Sequence, residues 1–189
     1  MRVLIAEDES LIRMDLREML EEQGHEVVGE ARDGAEAIAL ARSLSPDVIF
    51  MDINMPGVSG IEAARVLGEE RVAPVVMVTA FSQAAYVEQA TAAGAMAYIV
   101  KPFSSADILP AMSIAVSRYA EAATLADEVA DLGQRFETRK LVDRAKGILM
   151  ERGVSEPEAF KRLQKLAMDK RKTLREIAEA VLLASEAEE

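Results

Sequence analysis

Cysteine is absent from this 189-residue chain. That excludes disulfide frameworks, thiolate metal sites and a cysteine nucleophile. Histidine occurs once, at His25, so a His-rich zinc site cannot be assembled. Aromatic residues make up 4% of the chain, too few for an extended platform on which bases stack. No apolar run reaches the length of a bilayer-spanning helix. The opening MRVLIAEDES turns acidic after one short apolar run, unlike a secretory signal peptide. These absences predict a cytoplasmic protein with no membrane partner, long enough for one ordinary domain and a small one.

Charge is plentiful but unevenly placed. The formal net charge is −11, yet residues 135–175 hold 13 Lys and Arg against 6 Asp and Glu. Residues 1–103 hold 8 against 17, and the last fourteen residues carry five acids and no base. An acidic module joined to a basic one points to an anionic partner for the second, although a basic helix face can also be merely solvated.

In the first hundred residues, short apolar runs alternate with amphipathic segments. Strands are predicted at 2–6, 26–30, 47–51, 74–80 and 97–101, and helices near 10–23, 34–44, 59–70 and 82–93, with Gly24, Gly34 and Gly94 at turns. Strands apolar on both faces, alternating with helices, imply a doubly wound five-stranded parallel sheet. Right-handed crossovers put every strand's C-terminal end on one edge, where such sheets bind ligands. Polar residues gather there: Glu7 and Asp8, Asp52, Thr79 and Lys101. Three carboxylates brought together repel unless a cation joins them, and an all-oxygen set suits Mg²⁺. A carboxylate can also act as a nucleophile and form an acyl phosphate, with Thr79 and Lys101 contacting phosphoryl oxygens.

The ordered set LIAEDE, MDINMPGVSG, VTA and KPF resembles the receiver domain of two-component response regulators, over about residues 1–120. That resemblance implies the flavodoxin-like fold and makes Asp52 the acceptor of a phosphoryl group from a sensor histidine kinase. It assigns Mg²⁺ to Glu7, Asp8, Asp52 and the backbone carbonyl of Asn54. Thr79 becomes the switch residue with Tyr98 as its aromatic partner, and Lys101 the lysine that senses the phosphorylated state. Glu7 stands where many receivers have aspartate, which keeps the charge but changes the reach toward a metal. Phe81, two residues beyond Thr79, is placed to shield an acyl phosphate from water. A cis peptide is expected between Lys101 and Pro102.

Residues 104–134 form a helical connector overlapping the last receiver helix, with an N-cap at Ser104 or Ser105 and an irregular start at Pro110. Met112, Ala115, Tyr119, Ala122, Ala126 and Val129 recur at heptad-like steps. Either the helix packs on its own sheet and simply extends, or the stripe seams two copies into a homodimer on phosphorylation. Gly133 marks a boundary.

Three short helices are expected in residues 135–189. The first ends at Gly153 and turns Phe136, Leu141 or Val142, Ala145, Ile148 and Leu149 inward. The second has a capping box at Ser155 and Glu158 and an apolar face of Phe160, Leu163, Leu166 and Ala167. The third has a capping box at Thr173 and Glu176. TLREIAEAV looks like the first helix of a helix-turn-helix, but no recognition helix follows, which argues against duplex DNA. The stretch RAKGILMERG…EAFKRLQKLAMDKRKTLREIAEAV resembles instead the ANTAR domain, a three-helix RNA-binding module, over about 135–185. By that resemblance Arg144, Lys146, Gly147, Lys170, Arg171 and Lys172 face RNA stem-loops in nascent mRNA. The whole then reads as a phosphorylation-controlled antiterminator, a signalling protein whose only catalysis is its own phosphorylation and dephosphorylation. The alternative is a receiver whose helical tail docks another protein and binds no RNA.

Overall fold

The structure, a computed structural model, describes residues 1–80 and 93–186. It divides into two compact units, Met1–Ala123 and Thr124–Glu189.

In the first unit, strands β1 (Arg2–Ala6), β2 (Glu26–Ala31), β3 (Val48–Asp52), β4 (Val75–Thr79) and β5 (Ala97–Val100) pair in parallel in the order β2-β1-β3-β4-β5. The predicted sheet is therefore present, with strand bounds within a residue or so of those read from the apolar runs. Alternation along each strand feeds two cores. Leu4, Ile49, Met51 and Met77 meet helices α2 (Gly34–Leu44) and α3 (Gly60–Glu69) on one face. Val3, Ile5, Phe50 and Val78 meet α1 (Ser10–Glu22) and the start of α4 (Ser105–Glu151) on the other. Gly24 follows α1 with a φ of 81°, as expected of the turn there. Gly34 is not in a turn but opens α2, where the Asp33 side chain caps Glu36 N–H. Phe81 and residues 82–92 of the helix expected over 82–93 lie outside the described residues.

Helix α4 corrects two expectations. It runs unbroken for 47 residues, so the helix expected from 135 onward is its last part rather than a separate element. Gly133 weakens a helix by about 1 kcal/mol relative to alanine, which does not end one rich in Ala and Glu and braced by pairs such as Asp131–Arg135 (2.9 Å). Pro110 also lies inside the helix. The carbonyl it leaves unpaired, that of Ala106, belongs to an exposed first turn where water can satisfy it. Ser104 is the N-terminal cap: its N–H and hydroxyl both donate to the Asp107 carboxylate, at 2.8 and 2.7 Å.

The anticipated heptad stripe divides along α4. Met112 and Ala115 are buried against the sheet, and the Tyr119 hydroxyl donates to the Arg71 carbonyl (2.5 Å). Farther on, Leu125, Val129, Leu132 and Phe136 stand exposed at four-, three- and four-residue steps.

In the second unit the end of α4, α5 (Glu156–Lys170) and α6 (Leu174–Glu186) share a small core of Val142, Ala145, Leu163, Ile177 and Ala178. Phe136, Phe160 and Leu166 were expected inside and are exposed instead. Ala159, Leu163 and Ala167, four residues apart, form the inner face of α5 and leave the bulkier neighbours outside. The Thr173–Glu176 capping box forms, with both side chains bonded to the other's backbone N–H at 3.2 and 2.8 Å. The one expected at Ser155 does not: its side chain makes no cap bond, and Glu158 pairs with Arg162, one turn on.

Candidate functional site

The C-terminal ends of four strands, β1, β3, β4 and β5, converge on an acidic pocket. Glu7, Asp8 and Asp52 each offer an oxygen, all within 4.8 Å of one another. Glu7 and Asp52 are buried, while Asp8 is exposed. The Lys101 ammonium lies between the two buried acids, 2.7 Å from Asp52 Oδ1 and 2.7 Å from Glu7 Oε2. Burial raises the Glu7 pKa above the usual carboxylate value, against the lowering effect of Lys101, and the nearby Asp52 charge raises it further. Burial also works against the Lys101 ammonium, but its bonds to Asp52 and Glu7 outweigh that and lift its pKa. Glu7 Oε2 is sealed from solvent, and its contact with the ammonium is short but poorly directed. An oxygen-only cluster with an under-satisfied buried carboxylate fits a small hard divalent cation such as Mg²⁺.

The loop after β3 fixes Asp52. Asn54 N–H donates to Asp52 Oδ2 (2.7 Å), and Gly60 N–H donates to the Ile53 carbonyl (3.0 Å). Gly60 is pressed against the Asp52 main chain so closely that a Cβ would overlap the Asp52 carbonyl oxygen. Ser59 then starts α3 with a full capping box to Glu62. Thr79 is buried at the end of β4, and the Lys101–Pro102 peptide is cis. Tyr98 is not gathered into the pocket: it is half-exposed on β5 and lines a groove with Ile114 and Arg118 of α4.

One residue escaped the sequence reading. Arg13, on the buried face of α1, donates to the Glu7 carbonyl (2.6 Å) and, more weakly, to that of Asp8 (3.4 Å), and its Nε reaches Glu30 (3.0 Å). It holds the acidic loop from behind, main chain first. The signal was present: Arg13 lies three residues before Leu16 and seven before Leu20, on the stripe that faces the core.

Of the six residues expected to face RNA, the five cations separate into two groups. Lys146 is half-buried and ion-paired to Asp143 (2.8 Å) and Glu156 (2.9 Å), which raise its pKa. Lys172 is paired to Glu176 at 2.6 Å. Among the described residues, Arg144, Lys170 and Arg171 have no carboxylate partner, and Arg171 holds a left-handed φ of 53° at the corner after α5. Gly147 lies in the floor of a shallow depression that also involves Arg144.

Comparison with known proteins accords with this division. The response regulator receiver domain family matches residues 3–113, and the ANTAR domain family matches residues 130–182. The transcriptional regulatory protein PdtaR of Mycobacterium tuberculosis is 57% identical over 96% of this chain and 89% of its own length. The chemotaxis protein CheY of Thermotoga maritima is 38% identical over 59% of this chain and 94% of its own. The signal receiver domain of the putative response regulator NarL from Mycobacterium tuberculosis superposes with a TM-score of 0.59 at 31% identity, covering 61% of this chain and 95% of that one. Nowhere among the described residues is a helix long and apolar enough to cross a membrane. An acidic strand-edge pocket in a parallel sheet, followed by a small helical unit and matched by relatives over nearly the full length, leads to one conclusion: the chain belongs to the two-component response regulators with an ANTAR output domain, a signalling family rather than an enzyme class.

Proposed function

We propose that Asp52 is the phosphoacceptor and that its state controls RNA binding by the ANTAR unit, and through it transcription antitermination. The observation that carries the first half is a buried aspartate, at the end of the central strand β3, that shares a pocket with two more carboxylates and a lysine. An Asp52 oxygen attacks the phosphorus of a phosphohistidine on a sensor histidine kinase. The P–N bond breaks, and the imidazole nitrogen leaves with the electron pair and takes up a proton. Glu7, Asp8, Asp52 and the Asn54 carbonyl would hold Mg²⁺, which when bound offsets negative charge on the transferring group. Lys101, already beside Asp52, neutralises a phosphoryl oxygen, and Thr79 donates to another. Tyr98 reports the change by moving inward from its half-exposed position.

The exposed row of Leu125, Val129, Leu132 and Phe136 supports pairing of two α4 helices once the receiver is phosphorylated, so that two output units engage two hairpins. A second reading, protein docking without RNA, is favoured by a groove of about 760 Å³ whose lining includes Val142, Pro157, Phe160 and Leu174.

Labelling with a small phosphodonor and Mg²⁺ tests the acceptor: wild type takes up phosphate and Asp52→Asn does not, whereas equal labelling refutes the assignment. Filter retention of a two-hairpin RNA, with and without phosphodonor, separates RNA binding from protein docking.

A further inference from the structure

Gly147 stands in the interior of α4, where glycine weakens a helix relative to alanine. The fold gives no reason for it. Its φ is not in the left-handed region, and a Cβ built there would meet nothing within 4 Å. Gly133 is equally open, but the helix around it is exposed on every side. Gly147 differs because it lies in a depression of about 250 Å³ between α4 and α6, lined also by Arg144, Ile148, Glu151, Leu182 and Ser185.

The four α4 residues fall at i, i+3, i+4 and i+7, on one helix face. Ile148 and Leu182 supply apolar walls. Arg144 and Glu151 stand at opposite ends, roughly 10 Å apart along the helix axis, and neither has an ionic partner among the described residues. The Ser185 hydroxyl donates to the Leu182 carbonyl (2.8 Å), which leaves its oxygen free to accept. A phosphate alone does not fit this depression, because Glu151 would repel it. A flat group that is apolar on its faces, donates at one edge and carries a phosphate at the other fits both ends.

We propose that this depression receives one unpaired RNA loop base bearing an exocyclic amino group (cytosine, adenine or guanine), with Gly147 as the bare backbone floor. The amino group donates to Glu151, Arg144 takes the adjoining phosphate, and Ile148 and Leu182 contact the base. Uracil offers only its ring N3–H, flanked by two carbonyl oxygens that repel the Glu151 carboxylate, and is disfavoured. The inference rests on the reading of the output unit as RNA-binding.

The test uses the full chain and a pool of two-hairpin RNAs with randomised loops, sequencing the bound fraction. Wild type is expected to deplete uracil at one loop position about tenfold. Gly147→Ala raises the melting temperature yet weakens binding of the enriched RNA about tenfold, a pair of effects in opposite directions that a structural role would not give. Glu151→Lys, which replaces the acceptor by a donor, shifts the preference toward uracil or guanine carbonyls. Gly147→Ala binding as tightly as wild type, or Glu151→Lys keeping the wild-type preference, overturns the pocket while leaving RNA binding intact. A wild-type protein that retains no member of the pool overturns the RNA reading itself.

Discussion

The receiver pocket and the output surface use the same chemical pair, an ammonium beside a carboxylate, in opposite settings. Lys101 is 13% exposed and its partner Glu7 1%, whereas Lys172 and Glu176 are 56% and 42% exposed. Inside, the low dielectric strengthens attraction and penalises any unpaired charge, so each group is tied to a definite position and task. Outside, water screens the pairs, and they form opportunistically along a helix: Arg162 with Glu158, Arg175 with Glu179, Lys172 with Glu176. The excess of cations in residues 135–175 therefore overstates what an anionic ligand meets, since part of it is spent on neighbours one turn away. A count of charges locates the basic module, and only geometry says which cations remain available.

The contrast can be broken most forcefully at Lys101. Lys101→Met strands two buried carboxylates and is expected to destabilise the receiver by about 3 kcal/mol in thermal melts without added metal. Glu7→Gln in the same chain should restore much of that loss. Lys172→Met, its exposed counterpart, should leave the melting curve almost unmoved. Equal losses at the two sites would mean that burial is not what separates them.

Arg13→Met comes next, at about 2 kcal/mol, because the Glu7 carbonyl loses a buried charged donor and Glu30 loses a partner. Calorimetric Mg²⁺ titration should show weaker binding in Arg13→Met, with Arg13→Lys partly restoring it. Unchanged Mg²⁺ affinity in a folded Arg13→Met protein would reduce Arg13 to a packing role.

A smaller effect belongs to the α6 cap. Thr173→Ala removes the hydroxyl that accepts from Glu176 N–H and should cost about 1 kcal/mol, read from helical circular dichroism. The least is expected from pH. Bonds from Lys172 and from Thr173 hold the Glu176 carboxyl down to about 2, below its ordinary 4.5. A depressed carboxyl stabilises the fold above its unfolded value, so this contribution is whole above about 4.5 and is lost as pH falls toward 2. Carbon-detected titration should place its midpoint near 2 in wild type and higher in Lys172→Met.

Strand positions and the acid cluster were legible because each strand is one apolar run and each functional side chain ends a run. Position in the sequence there is position in the sheet. Arg13 was missed because its place on the core-facing stripe signals burial but does not say which carbonyl it reaches across a turn. The long α4 was misread because a glycine and a change of charge look like a boundary, while helix continuation depends on the sum of many small propensities. Phe136 and Phe160 were placed inside for being large and apolar. Where the end of α4 meets two short helices there is room at the centre for alanine, valine and leucine, and the rings remain outside.

Gly60 has a consequence for how tolerant the loop after β3 is to change. Every side chain, even a methyl group, would overlap the carbonyl oxygen of Asp52, so no substitution at position 60 leaves the Asp52 main chain where it is. A displacement on the order of 1 Å in a reacting group can cost a hundredfold in rate. Gly60→Ala should therefore slow phosphoryl uptake although it removes no charge, hydrogen-bonding side chain or metal ligand. In a mutational survey scored by signalling output, position 60 would be as intolerant as position 52 while contributing no atom to the chemistry.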